Sequence, residues 1–435
     1  MEKLFVYTEF SGDFIKIGEL ERTDETNAAF RYDREFLAKE ESFPISVNLP
    51  LTEGSFDEHA TRVFFEGLLP EGFTRRAVAG NIHVAADDYF AILKALGSEC
   101  LGALCIMDPE TGFPDASYEK LKDEELIKLA SEGAGKAAST MIKTHVSLTG
   151  ASGKVGLYLD NKENSWYLPT GTAPSTHIVK QSHVRLNNIV INEFLSLLTA
   201  KKLGINIPDS FVINIAQGKI AQGKDSEVLF ATKRYDRKTD GISGDGSSQK
   251  HLDGHKVPFR LHQEDFAQAM GISFQEKYEK PSGDYLARSF RLIQDYTEDP
   301  IQEMYKLWDY MIFDYLIGNT DNHIKNLSLL YSEDYRKIQL SPLYDVISTI
   351  IYESSTQEMS VSIDGKYDIF EINRDSFANA ASGSNLGRRI AMEHFDRLAN
   401  GFVNALGESA YEMKEMGFSN ALAIKELILR QRKIF

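Results

Sequence analysis

Residues 318–327, Gly-Asn-Thr-Asp-Asn-His-Ile-Lys-Asn-Leu, constrain this chain more than any other stretch. They close a long apolar helical pattern and open a short apolar run. Asp321 precedes Asn326 by five positions. That is the spacing at which an Asp receives a hydroxyl proton and an Asn holds a metal ion in phosphoryl transfer. Nineteen residues further on, Leu343-Tyr344-Asp345-Val346-Ile347-Ser348 sets a second Asp in an apolar segment. A carboxylate there is costly to bury unless it is paired or binds a metal, so Asp345 is the candidate second metal ligand. The order of these parts fits phosphoryl transfer from a nucleotide. Asn-Thr-Asp-Asn is also good turn chemistry, because these side chains bond their own backbone. For the loop alone, both readings stand.

The 435 residues make a soft case for about three domains or one large two-lobed body. A net charge of −16 argues against broad contact with nucleic-acid phosphates by this chain alone. It favours a basic partner, or Mg²⁺ as local counter-charge. Cys100 and Cys105 match neither zinc nor redox spacing and read as small buried hydrophobes. The opening residues lack a signal-peptide layout. No apolar run reaches membrane-spanning length, so a cytoplasmic protein with no membrane contact is expected.

Residues 1–110 read as a small mixed subdomain, with strands at Leu4–Tyr7, Phe14–Ile17 and Ala29–Tyr32 and helices at Arg62–Leu69 and Asp87–Leu96. Residues 111–142 read as a connector, with a charged helix from Lys122 to Ser131. In the next block Gly150, Gly153 and Gly156 lie between two strand-like runs. Glycines let backbone N–H groups approach phosphate oxygens, but neither standard phosphate-loop template fits, and a hairpin turn is the competing reading. Ser175–Gln181 reads as a strand carrying Lys180. A helix from Asn188 to Lys202 carries Glu193, which could face that lysine. Both could equally be solvated surface charges. Strands at Ser210–Ile215 and Val228–Ala231 lead to Thr232–Arg237, where two lobes would hinge and backbone groups could read an adenine edge. Residues 238–256 read as an insertion or loop. The remainder is expected to be mainly helical: Gln263–Met270, Tyr285–Asp295, Gln302–Ile317, Asp375–Ala381, Arg388–Leu406 and Tyr411–Arg432. The expected fold class is α+β, a two-lobed arrangement with a β-rich N-terminal half and a mainly helical C-terminal half. The expected divisions are 1–110, 111–142, 143–237 and 238–435.

With those residues placed, the chain resembles the HipA family of bacterial serine/threonine kinases, the toxin half of a toxin–antitoxin pair. The likeness covers nearly the whole length. It rests on six motifs in order: Val146–Ala151, Thr176–Lys180, Arg234–Arg237, Gln263–Asp265, Gly318–Asn326 and Leu343–Ser348. The resemblance implies a protein-kinase-like fold with an accessory N-terminal subdomain, and ATP and Mg²⁺ as cofactors. It implies that Asp321 is the catalytic Asp and that Asn326 and Asp345 are the metal ligands. Lys180 would be the ATP lysine. Gly150, Ala151, Ser152, Gly153 and Lys154 would form the phosphate loop, with His323 and Lys325 as further nucleotide contacts. Lys233 and Tyr235 would hold adenine. Ser147 matches a serine that family members phosphorylate on themselves, silencing the kinase. The partner implied is a small HipB-like helix-turn-helix antitoxin that supplies most contacts to operator DNA. The implied substrate is a tRNA synthetase or another translation protein. A small-molecule or lipid kinase of related fold, or a non-catalytic scaffold in a repressor complex, are the alternatives. Ser152-Gly153 departs from the pattern of the family's phosphate loop, the 238–256 segment is longer than usual, and no Phe-Gly follows Asp345.

Overall fold

Leu4, Val6 and Thr8 are buried while Lys3, Phe5 and Tyr7 are half-exposed. This period-two pattern places one face of a strand on a core. The computed structural model, which describes residues 2–130, 154–181, 186–214, 228–239, 250–384 and 386–432, builds from it an antiparallel sheet. Strands β1 (Lys3–Phe10), β2 (Asp13–Arg22), β3 (Ala28–Tyr32) and β4 (Leu104–Met107) run in the order β3-β2-β1-β4. Helices Glu58–Gly67 and Tyr89–Leu96 lie between β3 and β4 in the chain, each N-capped by an Asp, Asp57 and Asp88.

A second sheet uses β5 (Ser117–Lys120), β6 (Lys154–Asp160), β7 (Ser165–Thr170) and β8 (His177–Gln181) in the order β5-β7-β6-β8, again antiparallel. The expected strands and helices up to here are present within a few residues. The loop that carries Ser147, Gly150, Ala151, Ser152 and Gly153 lies outside the described residues.

Contacts divide the chain into two units. The first comprises Met1–Gln181, Ala231–Phe274 and Leu330–Lys337; the second comprises Ser182–Phe230, Gln275–Leu329 and Ile338–Phe435. Residues 1–110 and Ala231–Phe274 therefore fall in the same unit. The reason is a set of buried charges within the first unit. Arg234, Arg237 and Arg260 all bond the Glu99 carboxylate, at 2.9, 2.9 and 3.3 Å. Asp236 binds Arg234 and accepts from the Gly102 N–H at 2.8 Å. Arg260 also reaches Glu9, at 2.8 Å. Glu264 accepts from Ser46 Oγ and the Val47 N–H, and His262 bonds the Ile45 carbonyl. Residues 250–274 thus belong with the N-terminal segment rather than with a C-terminal lobe. Burial pushes the Glu264 carboxyl up to about 7 against those hydrogen bonds.

The first unit holds the four-stranded sheet and strands β5 to β8 of the second sheet, and the second unit is mainly helical. In the second, helix Ile189–Lys202 is tied to the Asp345 segment: Asn192 Nδ2 donates to the Ser348 carbonyl at 2.9 Å and Ser348 N donates back to Asn192 Oδ1 at 3.0 Å. Helix Pro300–Ile317 starts with Asp299 as N-cap and Pro at its first position. It is anchored by Trp308 Nε1 to Ala391 O, Tyr310 OH to Ser341 O and Tyr315 OH to Ile372 O. Two helix boundaries differ from expectation. Gln263–Asp265 is a strand, and Asp265 then caps the helix Phe266–Met270 with a capping box. Gly407 stays helical, so one helix runs Arg388–Glu415; the break falls at Gly417, φ +97°, before Asn420–Arg432.

Candidate active site

Helix Pro300–Ile317 ends at Gly318, whose φ of +78° caps it in the left-handed region. A Cβ at this position would lie 2.4 Å from Ile350 Cδ1, so the site requires glycine for space as well as for backbone. The close approach has a purpose: Gly318 O accepts the N–H groups of Thr349 and Ile350 at 2.9 and 3.2 Å. Thr320 N also donates to Thr349 Oγ1 at 2.7 Å. The loop after Gly318 and the segment after Asp345 are thereby one assembly within the second unit.

Side-chain amides then fix the loop internally. Asp321 N donates to Asn319 Oδ1 at 3.1 Å, and Asn326 Nδ2 donates to Asp321 O at 3.0 Å. Asn319 Nδ2 in turn donates to Asp314 Oδ1 at 2.8 Å. Asn326 lies in a 3₁₀ turn, Ile324–Asn326, which leads into the buried strand Ser328–Tyr331. Its amide nitrogen is committed to Asp321, so its oxygen is the atom it can present to a cation. Asp345 sits in a loop rather than a strand, half-buried, at φ +57°. Asp is among the residue types that enter this left-handed region most readily. Its neighbour Tyr344 donates to Lys325 O at 3.0 Å. A small cavity, about 10 Å³, is lined by Asp314, Asn319, Asn322, His323 and Asn326 from one side and Leu343, Tyr344 and Val346 from the other.

The donor set is a carboxylate and an amide oxygen. Hard oxygen ligands of this kind suit Mg²⁺, which takes one or two carboxylates and completes its shell with water and phosphate. Among the described residues no group of three His, Cys, Asp or Glu side chains clusters as a metal site; Asn326 and Asp345 are the residues that could offer oxygens to Mg²⁺ here.

Lys154, Lys180, Lys233 and Tyr235 belong to the first unit. Lys154 opens β6 directly opposite Lys180 on β8. The two are 9% and 7% exposed. Both are lysines that could reach phosphate oxygens. Lys233 ends the strand Val228–Lys233 and is half-buried, while the Tyr235 hydroxyl bonds Gln263 Oε1. His323 and Lys325 are buried on the Asp321 loop. Glu193 is buried on the helix Ile189–Lys202 of the second unit.

Lys154 is anticipated as part of the phosphate loop, but its register opposite Lys180 is not fixed by a single sequence. Two residues of note were missed by sequence reasoning. Tyr278 donates to Asp321 Oδ1 at 2.9 Å from far along the chain. Asp314 had a readable signal, a lone carboxylate in the apolar run Ile312-Phe313-Asp314-Tyr315-Leu316. Burial pushes Asp314 up to about 7, although the amides of Asn319 and Asn322 favour its charged form.

That shift has a defined sign. The folded protein holds a proton on Asp314 that the unfolded chain releases near the ordinary carboxylate value. Its contribution is therefore fully present below pH 4 and is lost as pH rises through about 7. The swing is on the order of 4 kcal/mol at most. Asp314→Asn keeps the acceptor for Asn319 and removes the charge. Its unfolding midpoint relative to the unsubstituted protein is expected to rise steadily from pH 5 to pH 8. A flat difference across that range would show that Asp314 is ionised throughout. Glu264 has the same sign but cancels in the comparison.

Residues 146–406 match the family model described as HipA-like C-terminal domain, and residues 12–107 match HipA N-terminal domain. The chain is 27% identical over 414 residues to the putative kinase Y4mE of Sinorhizobium fredii, covering 93% of this chain and 92% of that one. It is 26% identical over 415 residues to the serine/threonine-protein kinase toxin HipA of Shewanella oneidensis, covering 91% and 87%. The structure of a Shewanella oneidensis toxin–antitoxin complex of HipA, HipB and operator DNA superposes with a TM-score of 0.77 at 23% identity, over 98% of this chain and 96% of that one. That likeness establishes a shared fold. No helix among the described residues is long and apolar enough to cross a membrane. Two family models in the expected order, the longer of them spanning more than half of the sequence and enclosing the whole Asp321–Asp345 assembly, place this chain in the HipA family.

Proposed function

We propose that this chain is an ATP- and Mg²⁺-dependent serine/threonine protein kinase that acts as the toxin of a toxin–antitoxin module. The observation that carries the reading is the assembly around Asp321. Its backbone is fixed on both sides by Asn319 and Asn326, and the flanks of Asp345 line one small cavity together with Asn326. Asp321 accepts the proton of the incoming hydroxyl. Asn326 and Asp345 present oxygens to the metal. Lys154 and Lys180 hold phosphate oxygens. Mg²⁺, when bound, neutralises charge on the phosphates. Because phosphoryl transfer passes through a loose transition state, positioning and electrostatics supply most of the rate.

In this reading Ser147 is phosphorylated by the chain itself and the external substrate is a translation protein such as a tRNA synthetase. A phosphate at Ser147 adds nearly two negative charges beside a glycine-rich loop, enough to alter its local structure. The partner is a small basic helix-turn-helix protein. It would carry most contacts to operator DNA, in keeping with a net charge of −16 on this chain. The test is incubation with labelled ATP, Mg²⁺ and cell lysate, followed by mass spectrometry of phosphosites. Phosphate on protein serines, Ser147 among them, is the expected result. Label on a small molecule with none on protein would replace the reading with a metabolite kinase, and no ATP turnover would replace it with a scaffold.

A further inference from the structure

We propose that Tyr278 is a positioning residue for Asp321, its hydroxyl donating to the carboxylate at 2.9 Å and setting the orientation in which that carboxylate meets the acceptor hydroxyl. The inference rests on the kinase reading above and adds a residue from outside every motif considered so far.

An Asp carboxylate has a broad, two-fold torsional preference about its last bond. Fixing the Asp321 backbone therefore does not by itself aim its oxygens. A directional donor does, and the Tyr278 hydroxyl is one. Its own placement is secured twice. The Tyr278 ring meets His323 edge-on, with centroids 5.3 Å apart and planes at 83°. The residues beside it are tied down through Glu279 and Glu276. Glu279 N donates to Ser360 O at 2.9 Å, while the Glu279 carboxylate accepts from Tyr285 N at 2.9 Å and Ser362 N at 2.6 Å. Tyr285 OH donates to Glu276 O at 2.7 Å. Strand Glu358–Ile363 and helix Tyr285–Tyr296 thus hold the segment on both sides of Tyr278.

Those anchors distinguish a fixed donor from a lid. A tyrosine on a loosely held loop could occupy the acceptor's place and swing away; here the adjacent residue makes three backbone-directed bonds. Tyr278 remains 47% exposed, so burial of its ring is not what keeps it there. A carboxylate offers about four lone-pair positions, which leaves room for an acceptor hydroxyl while Tyr278 stays bonded.

The experiment uses the full chain with labelled ATP and Mg²⁺. It reads transfer to the chain itself and to dephosphorylated casein as a generic protein acceptor, with ADP release in parallel. Tyr278→Phe is expected to lower kcat about tenfold while KM for ATP stays within about twofold of its original value. Tyr278→Ala is expected to lose little more than Tyr278→Phe, because the hydroxyl is the active part. A phenylalanine variant with unchanged or higher kcat overturns the proposal. So does a loss seen only in the alanine variant, which would assign the role to ring packing on His323. Asp321→Asn runs alongside. If that variant keeps full activity, the kinase reading has failed; if it is inactive while Tyr278→Phe is normal, only the Tyr278 inference has failed.

Discussion

Asp321→Asn is expected to reduce phosphoryl transfer by about a thousandfold or more while leaving the fold intact. The structural part of that statement follows from which atoms do what. The loop is held through the Asp321 backbone, N–H to Asn319 and carbonyl from Asn326, and the substitution leaves both bonds in place. The side chain is half-buried and Asn preserves its shape. What is lost is the ability to take a proton. The thermal midpoint should therefore stay within a degree or two of the original. Asp345 needs more care. At φ +57° an alanine would add backbone strain to the loss of charge. Asparagine tolerates that region, so Asp345→Asn isolates the charge. It should raise the Mg²⁺ concentration needed for half-maximal rate roughly tenfold or more, as expected when one of few protein ligands loses its charge. Transfer by Asp321→Asn at a tenth of the normal rate or better would remove this residue from the role of base.

The Asp321 loop was legible as a candidate in sequence because its parts are short and local. Asp321 and Asn326 are five residues apart on one loop. The glycine before them signals a helix end in advance, but the close approach of Ile350 that also requires it is a tertiary contact. The register that sets Lys154 opposite Lys180 and the position of Tyr278 were not legible because each depends on pairing between distant segments: β6 with β8 for the first, the Glu279 anchor with strand Glu358–Ile363 for the second. The same cause explains why Ala231–Phe274 groups with the N-terminal segment. Lys238–Lys256 is polar and rich in turn residues, which locally reads as a boundary. Beyond it lie Arg260, His262 and Glu264, whose partners Glu9, Glu99, Ile45 and Ser46 are more than a hundred residues away. Within the Thr232–Arg237 stretch, Arg234, Asp236 and Arg237 are buried in that ion network, which no local feature of the stretch signals.

The second large effect concerns that network. Glu99 is completely buried with three guanidinium groups around it. Burial alone would raise its pKa; Arg237, Arg234 and Arg260 outweigh that and bring it down to about 2. Glu99, Asp236 and Glu9 balance the three arginines in number. Glu99→Gln leaves three buried cations facing two carboxylates, and its amide group points donors at donors. Breaking a buried ionic group from one side typically costs about 3–5 kcal/mol, a large share of the stability of most domains. The loss should be local to the first unit. The Ser175 N–H, which bonds Glu99, and the Gly102 N–H, which bonds Asp236, should lose hydrogen-exchange protection by about two orders of magnitude or more. Amides of the helix Pro300–Ile317 report on the second unit and should change far less. The carboxylate's contribution is present above the ordinary Glu range and is lost as pH falls toward 2, so the gap between Glu99→Gln and the unsubstituted protein should narrow on acidification. Equal loss of protection in both units would mean that the network stabilises the molecule as a whole rather than welding residues 1–110 to Ser175 and the 234–260 segment.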